Sequence, residues 1–404
     1  MKVTSIETIR VPVQPNLLFV VLHGEAGGVG LGESFFGAEA VEAYIHESAA
    51  PVLLAMPDAS PEAACLALRP YLGFQGSGVE TRGNAALDVA LWDLLARRAD
   101  LPLARLMGGP ISSSIRTYNT CAGPSYVRQE PRQASSNWGI DDAVRGAAFE
   151  DLDAFLHRPG ELAQELLDDG YTAMKIWPFD RAAESSRGNY IDPRDLAHGL
   201  GLVEAIRTAV GDRMDVLIEM HGLWKAPAAA TIVRALNDLS PYWIEDPVRP
   251  DAYESLARLR DVSDSWIASG ETLTGRRSFE PLLRQRLIDV ATLDVMWCGG
   301  LTEARKIAAM AEAHDIPIAP HDCTGPVALA TCAHLVMSQP NGLIQETTRA
   351  FLRTWYADLV TGVPKMTDGQ LSLTGAPGHG VQLRPGLRDE PGVSVRSTTA
   401  AAGR

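Results

Sequence analysis

The chain has no CxxC pair, no long apolar run and few basic residues. Its five cysteines (Cys65, Cys121, Cys298, Cys323 and Cys332) are odd in number. That argues against a disulfide framework and a thiolate zinc site, and fits free thiols in a reducing compartment. No apolar stretch is long enough to span a bilayer, and the opening MKVTSIETIRVPV lacks the apolar core of a signal peptide. A soluble, cytoplasmic protein is the default expectation, with no membrane partner. Lys and Arg number 36 against 50 Asp and Glu, a net charge of -14. Nucleic acid is therefore a poor partner. An acidic surface still admits an anionic substrate, because a bound cation reverses the local field.

What is present is a beat of acids. Glu219, Glu245 and Glu271 stand 26 residues apart, each closing a short apolar run such as Val216-Leu217-Ile218-Glu219. Asp294, His321 and Glu346 continue the beat less strictly. A strand, a helix and two loops take about this many residues, so the spacing predicts repeated βα units. Strands are expected at Ile115–Thr120 and Thr172–Trp177, then six more ending at Glu219, Glu245, Gly270, Asp294, Pro320 and Glu346. Helices such as Pro193–Val210 and Leu301–His314 lie between them. Eight strands are what a closed parallel barrel needs.

With 404 residues, 46% of them hydrophobic, the chain is long enough for a barrel and a smaller domain. Residues 2–36 read as antiparallel strands and 39–107 mostly as helices, with Leu87, Ala90, Leu91, Leu94 and Leu95 on one helical face. The expected fold is α/β: a (β/α)8-type barrel with an α+β capping domain formed by the N-terminal part and the C-terminal tail. The divisions are 1–112 for the cap, 113–365 for the barrel and 366–404 for a segment returning to the cap and ending disordered. Two stretches break the beat, residues 124–157 and Pro178–Asp192, and the second is expected on the active-site face.

Side chains at the C-terminal ends of barrel strands converge on one face. Three carboxylates there suit a hard cation such as Mg²⁺; the bland alternative is that they cap helices or pair with arginines. Lys175, inside an apolar strand, needs a partner: a substrate carboxylate, a metal ligand or a structural ion pair. Asp294 and His321 end adjacent strands, where an aspartate would fix the tautomer of a general base; His321 as a structural histidine is the alternative. His221 shares the face of Glu219 if the strand continues that far, and could otherwise be structural. Glu346 could donate to an oxyanion if protonated, or pair with Arg349 at the surface.

These residues, with the segment ALDVALWDLLARRADLPLARLMGG at Ala86–Gly109, resemble the enolase superfamily in its mandelate racemase subgroup over nearly the whole chain. The resemblance implies metal ligands at Glu219, Glu245 and Glu271, an Asp–His dyad at Asp294 and His321, and an electrophile at Glu346. It implies abstraction of the proton next to a carboxylate, with Mg²⁺ as cofactor and a homo-oligomeric assembly. Three features set this chain apart. The subgroup usually carries Lys-x-Lys on the second strand, whereas here Trp177 follows Lys175 in place of the base on the second face. His221 resembles the histidine of some sugar-acid dehydratases and could protonate a leaving hydroxide. Pro12–Asn16 is shorter than the specificity loop of many relatives, so residues 124–157 are expected to close the site.

The expected activity is a Mg²⁺-dependent lyase, dehydrating a sugar acid, with catalytic residues Lys175, His221, Asp294, His321 and Glu346. A cycloisomerase or epimerase, a barrel glycosidase using Glu245 and Glu346, and a silent metal-binding protein stay open.

Overall fold

The computed structural model describes residues 1–69, 78–128, 130, 134–140 and 148–400. Three N-terminal strands, β1 (Val3–Arg10), β2 (Leu17–Gly24) and β3 (Val29–Phe35), form an antiparallel sheet against the helix Val79–Arg98. Gly30 and Gly32 make that packing possible. A Cβ on them would stand 2.1 and 2.0 Å from the carbonyl oxygens of Ala90 and Ala86, so only glycine lets strand and helix approach so closely.

The helix was expected to bury one face, and it buries more. Beyond Leu87, Ala90, Leu91 and Leu94, Asp88 and Asp93 are also buried. The extra burial arises because the helix lies between the sheet and the barrel. Asp88 accepts from the Thr302 amide at 2.8 Å, at the start of the barrel helix Leu301–Ala313. Glu33 on β3 likewise accepts from the amides of Val327 and Ala328, each at 2.8 Å, at the start of the helix Pro326–Val336. Both carboxylates satisfy amides that have no partner inside their helix.

The barrel runs β4 (Ile115–Thr120), β5 (Ala173–Ile176), β6 (Asp215–Glu219), β7 (Trp243–Glu245), β8 (Trp266–Ser269), β9 (Val290–Ala291) and β10 (Gln345–Thr347), all parallel, with β10 pairing β4. The seventh strand position is held by single bridges from Ile318 to Ala291 and Gly342. The sixth and seventh strands are shorter than expected. The Asp294 side chain takes the amides of Met296 and Trp297 and turns the chain. Pro317 and Pro320 have no N–H to give a ladder.

One inner layer holds a residue from every strand position: Tyr118, Ala173, Leu217, Trp243, Ala268, Val290, Ala319 and Ile344. Strand side chains alternate, so residues two further on face the same interior. Those are Thr120, Lys175, Glu219, Glu245, Gly270, Thr292, His321 and Glu346. Five of the eight proposed site residues are thus placed by the period of the strand alone.

After the barrel, β11 (Val360–Thr361) pairs β14 (Gln382–Leu383), and the hairpin of β12 (Lys365–Thr367) and β13 (Gln370–Ser372) joins β4. The tail from Arg384 returns to the cap as β15 (Ser394–Thr399), antiparallel to β1 over residues 5–10. The ladder bonds to β1 order it despite its loop-like composition; residues 401–404 lie outside the described residues. No helix among the described residues is long and apolar enough to cross a membrane.

Arg349 is not the partner of Glu346. It lies buried behind β10, where its Nη2 meets Asp151 at 2.7 Å and its Nη1 meets Asp169 at 2.9 Å. Removing one member of a buried pair leaves an uncompensated charge. Arg349→Met is therefore expected to cost about 3–5 kcal/mol of stability, measured by urea unfolding; a loss below about 1 kcal/mol, the scale of a surface pair, would refute this anchoring.

Candidate active site

Glu219, Glu245 and Glu271 are buried, and one carboxylate oxygen of each lies within 4.8 Å of the others. Among the described residues no other group of His, Cys, Asp or Glu is so spaced. Among the described residues none of the three pairs with an arginine. Glu219 Oε1 accepts from the amides of Met220 (2.9 Å) and His221 (2.7 Å), while among the described residues Glu219 Oε2 and Glu245 Oε1 are buried without a hydrogen-bond partner, Lys175 Nζ lying 3.4 Å from the former. Burial raises the pKa of Glu245, Lys175 opposes it, and the other glutamates add to the rise. Crowded acids with unpartnered oxygens form an all-oxygen set that fits a divalent cation such as Mg²⁺.

Lys175 rises from β5 into this cluster. Its Nζ stands 3.4 Å from Glu219, 3.2 Å from Glu245 and 3.1 Å from Glu346. Burial would strip its proton, but Glu245, Glu346, Tyr118 and Glu219 hold its pKa well above normal. Lys175 acts on Glu346 in turn. Burial would raise it, but Lys175, His321, the Thr120 hydroxyl and the Asp322 amide pull it down to about 2. Beside that ammonium Glu346 is placed to accept, so a donor role toward an oxyanion would need it protonated.

His321 Nδ1 meets Asp294 Oδ2 at 2.8 Å, and its Nε2 is 3.4 Å from Glu271. With Asp294 anchored by two amides, the ring donates through Nδ1 and turns Nε2 to the cluster. Burial would lower its pKa; Glu271, Glu346 and Asp294 raise it well above normal.

His221 reaches the site differently from expected. β6 ends at Glu219, and His221 sits in a left-handed turn at φ 48°. It does not alternate along the strand. Its Nδ1 meets Asp180 Oδ2 at 2.7 Å, forming a second Asp–His pair. Burial lowers its pKa, but Asp180, then Glu219, raise it to about 10. Asp180 opens the helix Asp180–Ser186, in the segment expected on this face. It was not singled out from sequence, although it stands three residues after Trp177.

The strand order puts His221 at the third position and His321 at the seventh, on opposite sides of the barrel mouth. Between them the cavity is lined by Phe36, Tyr126, Val127, Trp177, Trp297 and Cys323 with the polar groups above. Its free volume is about 30 Å³, roughly one water. Its roof is shared by the cap and the barrel. Part of that roof comes from residues 124–157: Tyr126 and Val127 line the cavity, and Asn16 of the cap donates to Val127 O at 2.6 Å and Glu130 O at 3.0 Å. Residues 129, 131–133 and 141–147 of this segment lie outside the described residues.

A capped parallel barrel, with three carboxylates, a lysine and two Asp–His pairs at its C-terminal mouth, has the layout of an enzyme that removes protons next to carboxylates. Residues 3–108 match the mandelate racemase/muconate lactonizing enzyme N-terminal domain, and residues 159–387 match the enolase C-terminal domain-like family. The chain belongs to the enolase superfamily, in its mandelate racemase subgroup. It is similar to a mandelate racemase subgroup enolase from Agrobacterium tumefaciens solved with a succinimide residue, sodium and phosphate: 43% identity, TM-score 0.86, 99% of each chain. An enolase protein from Sargasso Sea environmental sequencing is 40% identical, with a TM-score of 0.87 over 99% of this chain and 100% of that one. D-Galactonate dehydratase from Pectobacterium atrosepticum is 28% identical over 397 residues, 96% of this chain and 93% of that protein. The Ralstonia nicotianae D-galactonate dehydratase is 29% identical over 409 residues, 99% and 95%.

Proposed function

We propose that this chain is a Mg²⁺-dependent dehydratase of a sugar acid. The observation that carries the reading is the pair of Asp–His sets facing each other across the carboxylate cluster. Glu219, Glu245 and Glu271 would hold the cation, which supplies positive charge where a substrate carboxylate gains negative charge. Lys175, kept protonated, orients that carboxylate and adds a second positive charge. His321 Nε2, with Nδ1 tied to Asp294, takes the α-proton. His221, charged through Asp180, gives a proton to the departing β-hydroxyl from the opposite side. Base and acid on opposite faces make the elimination anti. The enol so released becomes a 2-keto-3-deoxy acid.

Dehydration is put ahead of epimerisation because the curated relatives are named D-galactonate dehydratase. A glycosidase acting through Glu245 and Glu346 would need no metal, so turnover in chelator separates it from the dehydratase.

The test is incubation with D-galactonate, D-gluconate, D-mannonate and related acids with Mg²⁺, assaying 2-keto-3-deoxy products. D-Galactonate comes first because the relatives above are named for it. Product is expected from at least one acid, and chelator should abolish it. Turnover that survives chelation would sink the metal assignment, and no product from any sugar acid would sink the dehydratase.

A further inference from the structure

Trp177 occupies the place where the resemblance to the subgroup implies a second lysine, and no step above uses it. Its ring lies edge-on to His221, 6.0 Å between centroids. Trp297 lies against His321 at 4.9 Å. Each histidine therefore has an aspartate on Nδ1 and an indole against its ring. Both indoles line the cavity, both are buried, and neither Nε1–H has a hydrogen-bond partner among the described residues. Trp138, Trp224 and Trp355 lack one as well, whereas Trp92 donates to Thr302 at 2.8 Å and Trp243 to Glu245 at 3.0 Å; of the five unpaired indoles, only Trp177 and Trp297 line this cavity. Leaving a buried donor unpaired is costly. It is tolerated where a ligand supplies the acceptor.

Both rings are also locked. Tyr126, Trp138 and Phe155 pack on Trp177 with centroids 5.5, 6.2 and 5.1 Å away. Phe36 packs on Trp297 at 6.0 Å, and the Arg82 guanidinium sits 4.6 Å from its ring centroid. Rigid donors lose little entropy on binding.

We propose that Trp177 and Trp297 are specificity-determining residues whose indole N–H groups donate to hydroxyl oxygens of a polyhydroxy acid, one on each side of the reacting carbons. This rests on the sugar-acid reading above. In that arrangement the residue that replaces the second-face base grips the substrate instead of deprotonating it. A site that spends buried donors on hydroxyls rejects analogues lacking them.

The test uses Mg²⁺-loaded protein carrying His321→Asn, to prevent turnover, with ¹⁵N-labelled indoles. D-Galactonate, D-gluconate and D-mannonate, with their 4-, 5- and 6-deoxy forms, are the probes, followed by calorimetry and indole N–H resonances. Two indole signals are expected to shift on binding the acid that wild type dehydrates, one vanishing with Trp177→Phe and the other with Trp297→Phe. Each phenylalanine keeps an aromatic ring without the N–H and should weaken binding of the full acid about tenfold, leaving one deoxy form unaffected. A packing role would weaken both alike. Unshifted indole signals, or wild-type binding in both variants while turnover by wild type persists, overturn this inference and leave the dehydratase standing. If a variant fails to fold, the deoxy series on the Trp-intact protein decides: equal affinity for every deoxy form overturns the proposal. No turnover of any sugar acid by wild type overturns the reading beneath it.

Discussion

His321→Asn is expected to lower kcat by roughly 10³-fold, within the range ascribed to a positioned general base. Asparagine can still donate to Asp294, so the loop after β9 keeps its shape, but no basic nitrogen remains 3.4 Å from Glu271. Binding of Mg²⁺ and of the acid should persist, and the α-proton should no longer exchange with solvent deuterium. Near-normal turnover would show that another group takes the proton. Retained exchange with lost turnover would move His321 to the leaving-group side.

His221→Asn should separate two events that wild type performs together. Dehydration is expected to fall by roughly 10²- to 10³-fold, because the hydroxide leaves without a proton donor. Deuterium should still enter at the α-carbon in D₂O, since His321 and Asp294 are intact. Exchange and dehydration falling by the same factor would mean that His221 acts before or during proton removal, as a second base would.

Much of the site was legible because a strand has a strict period. Once Leu217 and Trp243 face the barrel interior, Glu219 and Glu245 must too, and the 26-residue beat repeats the placement. Lys175, His321 and Glu346 follow the same rule. His221 does not: it arrives through a left-handed turn, which neighbouring residue types do not announce. Asp180 was hidden for a related reason. It stands at a helix start, and only the folding of that helix over β6 brings it to His221. The lowered pKa of Glu346 was not legible either, because it depends on Lys175, 171 positions earlier in the chain.

The sequence by itself determined the barrel, the three-glutamate set, the Asp294–His321 pair and the family, since each is written in local periods of two residues and of one βα unit. Tertiary structure decided the rest. It made the second Asp–His pair, set His221 across from His321, brought Phe36 from the cap into the cavity wall and ordered the tail as β15 on β1. Those are contacts between residues far apart in the chain, and their energies come from burial and charge in a shared space that a linear pattern does not describe.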